Sequence, residues 1–122
     1  MFVIAAGGAL GALLRFWLSG AVYAVLGRGF PYGTLSVNVL GSFAMGLLSI
    51  LMFERLALAA EWRAFVLIGF LGAFTTFSTF SMETVSLIEQ AQYFKALGNV
   101  FLSVLLCVAA AMTGVILARQ MA

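Results

Sequence analysis

The stretch GAFTTFSTFSME, residues 72–83, directly follows an apolar run and governs how the whole chain is interpreted. Five of the seven residues from Thr75 to Ser81 carry hydroxyl groups, and phenylalanines recur at three-residue spacing. In a continuous helix, the residues at i and i+3 are neighbours, so the three rings would share one side. Single Ser and Thr residues are common in membrane helices because they bond back to the i−4 carbonyl. Five hydroxyl residues among seven are more than such back-bonding explains, so the stretch predicts a helix that is broken near residues 75–79.

The composition around this stretch is that of a membrane protein. Hydrophobic residues make up 65% of the 122 residues and charged residues only 8%, whereas soluble domains contain about 25% charged residues. The charge-free runs 29–53, 64–82 and 96–118 have the length of roughly 20 residues that crosses a bilayer. A further apolar run, from residue 1 to about 26, is interrupted by Arg15. Because no basic residue precedes Arg15, the run lacks the n-region of a signal peptide and is expected to be a mature helix.

The chain is therefore predicted to be an all-α membrane protein with one four-helix transmembrane domain over residues 1–122. The helices are expected at about 2–26, 34–53, 63–89 and 96–118, and the third is expected to be broken near 75–79. The first link, GRGFPYGT, contains three glycines and a proline, which favour a turn. Thr34, at its end, is expected to cap the second helix.

The residues that most enzymes use for chemistry are scarce. Histidine is absent, the four acidic residues are scattered without metal-ligand spacing, and Cys107 lies in the middle of the last apolar run. A cysteine at such a place is expected to act as a small buried residue. The six basic residues are spread singly and form no patch for nucleic acid. The pattern favours neither an enzyme nor a nucleic-acid-binding protein.

The loop charges give almost no orientation signal. Arg55, Arg63 and Arg119 lie on the side that holds both termini, and Arg28 and Lys95 lie on the other. Because Lys/Arg asymmetry sets orientation during insertion, so small a bias either gives one orientation or lets the chain insert both ways up. Chains inserted both ways can form antiparallel dimers. Four helices pack around a filled centre, so an oligomer is expected.

Small residues at helical spacing offer surfaces for close packing. Gly7 and Gly11 form such a pair in the first helix, and Ser42 and Gly46 form another in the second. Packing within the subunit is the favoured use of these pairs.

Neutral polar groups accompany the hydroxyl-rich stretch. Asn38 lies about five residues into the second helix, with Gly41 and Ser42 leaving space beside it. Its amide either joins two helices or supplies donors to a polar path. A broken helix also presents free backbone groups to an ion. The phenyl rings suit a small anion when edge-on and a cation when face-on, or they only pack together, and the sequence leaves these alternatives open.

Arg15 and Glu83 are the charged residues that need an explanation at membrane depth. A buried guanidinium costs at least about 2.5–3.5 kcal/mol, so Arg15 must extend its side chain to the interface, pair with Glu83 or a helix-end carbonyl, or lie in a wet vestibule. In a vestibule its charge would concentrate anions. On the fourth helix, Asn99, Ser103 and Cys107 are spaced by four and form a thin polar strip.

Three segments resemble the signatures of a known family. GGALGALLRF (7–16), FPYGTLSVNVLGSFAMG (30–46) and GFLGAFTTFSTFS (69–81) resemble those of the CrcB/Fluc fluoride channels, in the same order and over nearly the whole chain. The resemblance implies an antiparallel, dual-topology homodimer in the lipid bilayer of the cell (inner) membrane. It also implies two parallel pores, through which fluoride leaves the cytoplasm passively, so that the cell is protected from its toxicity.

The resemblance also assigns residues to the pore and to a cation site. The pore or fluoride-binding residues that it implies are Phe77, Phe80, Asn38, Arg15, Ser78, Thr79, Glu83 and Ser103. A structural sodium ion at the dimer centre would be held by the backbone carbonyls of Gly72 and Thr75. Asn99 and Cys107 stand where the family often has tyrosine or hydroxyl groups, which leaves the track along the fourth helix open.

Two other functions compete with a channel. A small multidrug-type proton-coupled exporter has the same length, four helices and dual insertion, but it needs an acidic residue within the first helix, where this chain has Arg15. A helical assembly or regulatory subunit without transport would leave the hydroxyl-rich stretch unexplained.

Overall fold

The computed structural model describes residues 1–55 and 59–121, and four of its helical segments are long and apolar enough to cross a membrane. These spans are Phe2–Leu26, Tyr32–Glu54, Ala60–Glu89 and Tyr93–Gln120, here called the first to fourth spans. No strand occurs within the described residues. The chain is an all-α, multi-pass membrane protein, as the composition predicts.

The spans are built from six α-helices and two wider π-helical segments. The α-helices are α1 (Phe2–Leu26), α2 (Tyr32–Ile50), α3 (Ala60–Arg63), α4 (Gly72–Phe74), α5 (Phe77–Glu89) and α6 (Tyr93–Gln120). The π-helical segments are Leu51–Arg55, which continues α2, and Ala64–Leu71, which joins α3 to α4. The fourth span begins three residues before the expected residue 96, and the third begins three residues before the expected residue 63.

A glycine and a proline make the turn between the first two spans. Gly27 ends α1 with a φ of 82° while its N–H donates to the carbonyl of Tyr23 over 2.8 Å. Glycine adopts such a positive φ without steric cost. Pro31 precedes α2 with a φ of −75°, and its carbonyl accepts from the N–H of Leu35 over 3.1 Å. The prediction that Thr34 caps this helix is wrong, because the helix has already begun at Tyr32 and Thr34 is buried inside it.

The third span is broken at two residues. Thr75 and Thr76 have extended backbone, with φ/ψ of −85°/155° and −150°/121°. The hydroxyl of Thr76 accepts from the N–H of Thr79 over 3.3 Å and so caps α5. The expected break was too long, because this cap lets Phe77 and the two residues after it form the first turn of α5.

Close backbone contacts hold the spans in two pairs. The first span packs on residues 64–74 of the third, and the second span packs on the fourth. A Cβ added at Gly11 would collide with the carbonyl oxygen of Phe70, and one added at Gly46 would collide with that of Ala111. The small residues thus let helices of the same subunit touch, which confirms the use favoured from the sequence.

Most of the long apolar side chains lie on the outside of the chain. Phe2 and Phe94 are 92% and 93% exposed, whereas Asn99 is only 2% exposed. A soluble domain does not expose so much apolar surface in contiguous patches. The chain presents this surface to lipid or to another apolar partner.

Candidate functional site

The break in the third span is held by the side chain of Asn38. Its Nδ2 donates to the carbonyl of Thr76 over 2.9 Å, and its Oδ1 accepts from the N–H of Thr76 over 2.8 Å. Because a backbone N–H only donates and a backbone carbonyl only accepts, these two bonds fix which way the amide faces. One Nδ2 hydrogen is used, and no acceptor for the second is found among the described residues. Asn38 therefore joins two helices, which confirms one of the two sequence interpretations, and it keeps one donor available; that this donor belongs to a polar path stays a prediction.

The break also frees backbone carbonyls. In a continuous helix the N–H groups of Thr76 and Thr79 would donate to the carbonyls of Gly72 and Thr75. Here the Thr76 N–H donates to Asn38, and the Thr79 N–H donates to the Thr76 hydroxyl. The carbonyls of Gly72 and Thr75 thereby lose their helical donors.

Backbone carbonyl oxygens are possible cation ligands in this region. Within residues 1–55 and 59–121, no group of three or more His, Cys, Asp or Glu side chains is placed to hold a metal. Oxygen ligands suit hard cations. The freed carbonyls of Gly72 and Thr75 therefore fit the chemistry of a sodium ion.

Arg15 is held by the same break. Its Nε donates to the carbonyl of Ala73 over 3.1 Å, and the residue is half-buried. The helix-end carbonyl foreseen as one partner is the one found, and the alternative partner, Glu83, bonds elsewhere. Arg15 is therefore positioned to stabilise the end of α4.

A cavity of about 410 Å³ lies between the second, third and fourth spans. Its lining consists of Asn38, Gly41, Ser42, Met45, Thr75, Thr76, Phe77, Phe80, Ser103, Val104, Cys107, Val108 and Ala111. Since Phe77 is 77% exposed, the cavity reaches the surface of the single chain. Its wall is mainly apolar, and the polar groups in it are uncharged.

Only two of the three phenylalanines take part in this cavity. Phe77 and Phe80 lie with ring centroids 5.2 Å apart and planes tilted by 52°, so the rings are not stacked. Phe74 is buried and stacks on Phe70 at 6.2 Å with an angle of 4°. Of the three phenylalanines at three-residue spacing, Phe74 only packs against a neighbouring ring, while Phe77 and Phe80 line the cavity.

The polar strip of the fourth span is divided between the cavity and the protein interior. Ser103 and Cys107 line the cavity. Asn99 is buried between α5 and α6, where its Nδ2 donates to the Thr84 hydroxyl over 2.9 Å. The Ser103 hydroxyl donates to Oδ1 of Asn99 over 3.4 Å, and the Thr84 hydroxyl donates to the carbonyl of Phe80 over 2.8 Å. Asn99 is therefore a structural link behind the cavity wall.

A second, open depression of about 450 Å³ lies one turn further along α5. Ser78, Thr79, Met82, Glu83, Ser86 and Glu89 line it. The carboxylate of Glu83 accepts a hydrogen bond from the hydroxyl of Tyr23 over 2.7 Å.

The structure thus separates the expected site residues into groups. Asn38, Phe77, Phe80, Ser103 and Thr75 share the first cavity. The second depression holds Ser78, Thr79 and Glu83. Arg15 and Gly72 line neither of the two.

Two residues of the site were not singled out from the sequence. Thr76 pairs with Asn38 through its backbone and caps α5 through its hydroxyl. A Thr just before a helical segment is a signal for such a cap. Tyr23 could have been noticed as the one tyrosine in the first apolar run.

Comparison with known proteins gives consistent matches. The profile of a family described as "CrcB-like protein, Camphor Resistance (CrcB)" matches residues 2–115. A protein of Methylococcus capsulatus is 61% identical over 122 residues, which cover 100% of this chain and 54% of that protein. A protein of Magnetococcus marinus is 56% identical over 116 residues, which cover 95% of this chain and 94% of that protein. A protein of Geobacter sulfurreducens is 46% identical over 121 residues, which cover 99% of this chain and 98% of that protein.

Each of these three relatives is named "Fluoride-specific ion channel FluC". The chain spans about half the length of the first (54%) and nearly all of the other two (94% and 98%).

Proposed function

The chain belongs to the CrcB-like family, and from that membership and the cavity beside Asn38 we propose that it is a passive fluoride channel. It exports fluoride across the cell inner membrane, protects the cell from fluoride toxicity, and carries out no enzymatic reaction. The relatives named as fluoride channels are 46–61% identical to it.

The observation that carries the proposal is the neutral character of the cavity wall. A small anion that leaves water needs donors in place of its hydration shell, but a full positive charge would hold it too tightly for conduction. Asn38 offers its second N–H at the cavity, next to the tilted rings of Phe77 and Phe80. The rim of a phenyl ring carries a partial positive charge. The amide and the ring edges together attract an anion weakly.

A second copy of the chain completes the path in this proposal. Because Phe77 is 77% exposed on the single chain, the cavity needs another wall to exclude lipid. The nearly balanced loop charges allow the partner to insert upside down. The proposed assembly is an antiparallel homodimer in the bilayer, with one path on each side.

A structural sodium ion fits the break. The carbonyls of Gly72 and Thr75 would hold it, because their helical N–H donors are used elsewhere. When bound, the ion supplies positive charge that the freed carbonyl dipoles need. Exchanging sodium for a bulky organic cation is expected to lower the thermal stability of the dimer in detergent, and an unchanged melting temperature would contradict the site.

The test of the channel is fluoride efflux from liposomes that contain only the purified chain. Vesicles loaded with potassium fluoride receive a potassium ionophore, and a fluoride electrode follows release. Efflux is expected to begin with the ionophore and to follow the electrochemical gradient, while parallel vesicles loaded with potassium chloride retain their chloride. Efflux that requires a proton gradient would instead support a proton-coupled exporter. No efflux of either ion would support an assembly subunit.

Matched variants connect the flux to the cavity. Phe77→Ile and Phe80→Ile are each expected to abolish fluoride efflux, because an aliphatic side chain has no positive rim. Phe94→Ile is the control, since Phe94 is 93% exposed and does not line the cavity. Retained efflux in both cavity variants, with the dimer intact, would overturn the assignment.

A further inference from the structure

The hydrogen bond between Tyr23 and Glu83 joins α1 to α5 at the second depression. Tyr23 Oη donates to Oε2 of Glu83 over 2.7 Å, although the residues are 60 positions apart. The other carboxylate oxygen, Oε1, is buried and has no hydrogen-bond partner among the described residues. Burying a charged oxygen without a donor is unfavourable, so the Tyr23 hydroxyl is the contact that holds this carboxylate in place.

The ring of Tyr23 is itself fixed on two sides. The guanidinium carbon of Arg28 lies 4.5 Å from the ring centroid. The ring also occupies the space where a side chain on Gly33 would stand, since a Cβ there would collide with it. Arg28 and Gly33 thus fix the position of the Tyr23 ring, and in this position its hydroxyl points at Glu83.

Glu83 stands between two depressions of different character. It lines the open one with Ser78 and Thr79, and it also lines a more polar one of about 240 Å³. The polar depression includes Arg28 and Lys95 in its wall. Arg28 and Lys95 attract an anion to the polar depression, and the Glu83 carboxylate, which lines both depressions, repels an anion that moves from there toward Ser78 and Thr79. The position of that carboxylate therefore controls the passage.

We propose that Tyr23 is a positioning residue for fluoride permeation, because its hydroxyl holds the Glu83 carboxylate against α1 and out of the passage between the two depressions. This inference rests on the proposed channel function. Tyr23 touches no permeating ion in this account and acts on permeation through Glu83.

The first experiment is a double-mutant cycle on fluoride efflux. Tyr23→Phe keeps the ring, its packing at Gly33 and its contact with Arg28, and it removes only the hydroxyl. The released carboxylate is expected to reduce efflux by about tenfold or more, as for the loss of a hydrogen bond to a charged group. In a Glu83→Gln background the same change is expected to alter efflux by less than about twofold, because no charge is left to position. Tyr93→Phe is the control, since Tyr93 is 64% exposed.

The second experiment reads the carboxylate directly. Infrared difference spectra of Tyr23→Phe and wild type are expected to show a shifted carboxylate stretch that is missing when both proteins carry Glu83→Gln. Equal losses of efflux in the two backgrounds, or an unshifted band, would overturn the proposal. If the wild type passes no fluoride, the channel function fails, and with it the role of Tyr23 in permeation. A shifted band would then still establish the contact with Glu83.

Discussion

Replacing Asn38 by Asp is the sharpest test of the cavity, because the two side chains have the same shape. The carboxylate still accepts from the Thr76 N–H, but it faces the Thr76 carbonyl, to which Nδ2 now donates over 2.9 Å. Losing that bond and leaving the carbonyl unpaired costs about 1–3 kcal/mol of folding free energy. The variant also replaces the spare N–H at the cavity with a negative charge.

The effect on conduction is larger than the effect on stability. At about 4 Å and an effective dielectric constant of about 20, two like charges repel by about 4 kcal/mol. Since each 1.4 kcal/mol corresponds to about a factor of ten, fluoride efflux is expected to fall about a thousandfold. Electrode-detected efflux from liposomes measures this, and size-exclusion chromatography checks that the variant has the same oligomeric state as the wild type.

The control for this variant is Gln120→Glu, which adds the same charge at an exposed position at the end of α6. It is expected to leave efflux within about twofold of wild type, because solvent screens exposed charges. A well-folded Asn38→Asp dimer that conducts within tenfold of wild type would refute the role of the Asn38 amide in the path.

Three further substitutions test the framework around the cavity. Gly46→Ala pushes a methyl group into the fourth span and is expected to lower the free energy of unfolding, measured with denaturant, by about 1–3 kcal/mol. Gly20→Ala is the control, because Gly20 has open space around it and its substitution should cost no stability. Equal costs for the two variants would contradict the close packing. Thr76→Val removes the cap of α5 and is expected to cost about 1 kcal/mol, unlike Thr113→Val on the exposed side of α6. Asn99→Leu removes the acceptor of the Ser103 hydroxyl and the donor to the Thr84 hydroxyl, and it is expected to lower the melting temperature; an unchanged temperature would show that this link is dispensable.

The number of spans and their approximate places follow from composition, because apolar length is a strong signal when charge is scarce. The boundaries follow less well. The second helix begins at Tyr32 because Pro31 sets the backbone angle before it, so Thr34 is already inside the helix. The sequence near the break predicts an interruption, but its length depends on one side chain, Thr76, which restarts the helix at once.

The contacts of the site are harder to predict from the sequence than the positions of the spans. A polar residue in a membrane helix is a sign of function or of packing, and only a structure shows which contacts it makes. Asn38 makes both of its contacts with Thr76, 38 positions away. Arg15 binds a carbonyl freed by the break, a partner that exists only because the helix is interrupted. Such pairs depend on how spans pack, and spacing along one helix does not contain that information.

The hydroxyl groups that marked the stretch from the start mostly serve the backbone. Thr75 and Ser81 bond back to carbonyls one turn earlier, and Thr76 caps α5 while it donates to the Thr79 hydroxyl. Fewer donors therefore face the cavity than the composition suggests, and the spare N–H of Asn38 is one that the described contacts leave available. In the proposed channel, one amide donor and two ring edges would bind an anion weakly. Weak binding is what conduction requires, because an ion that is held by many donors leaves slowly.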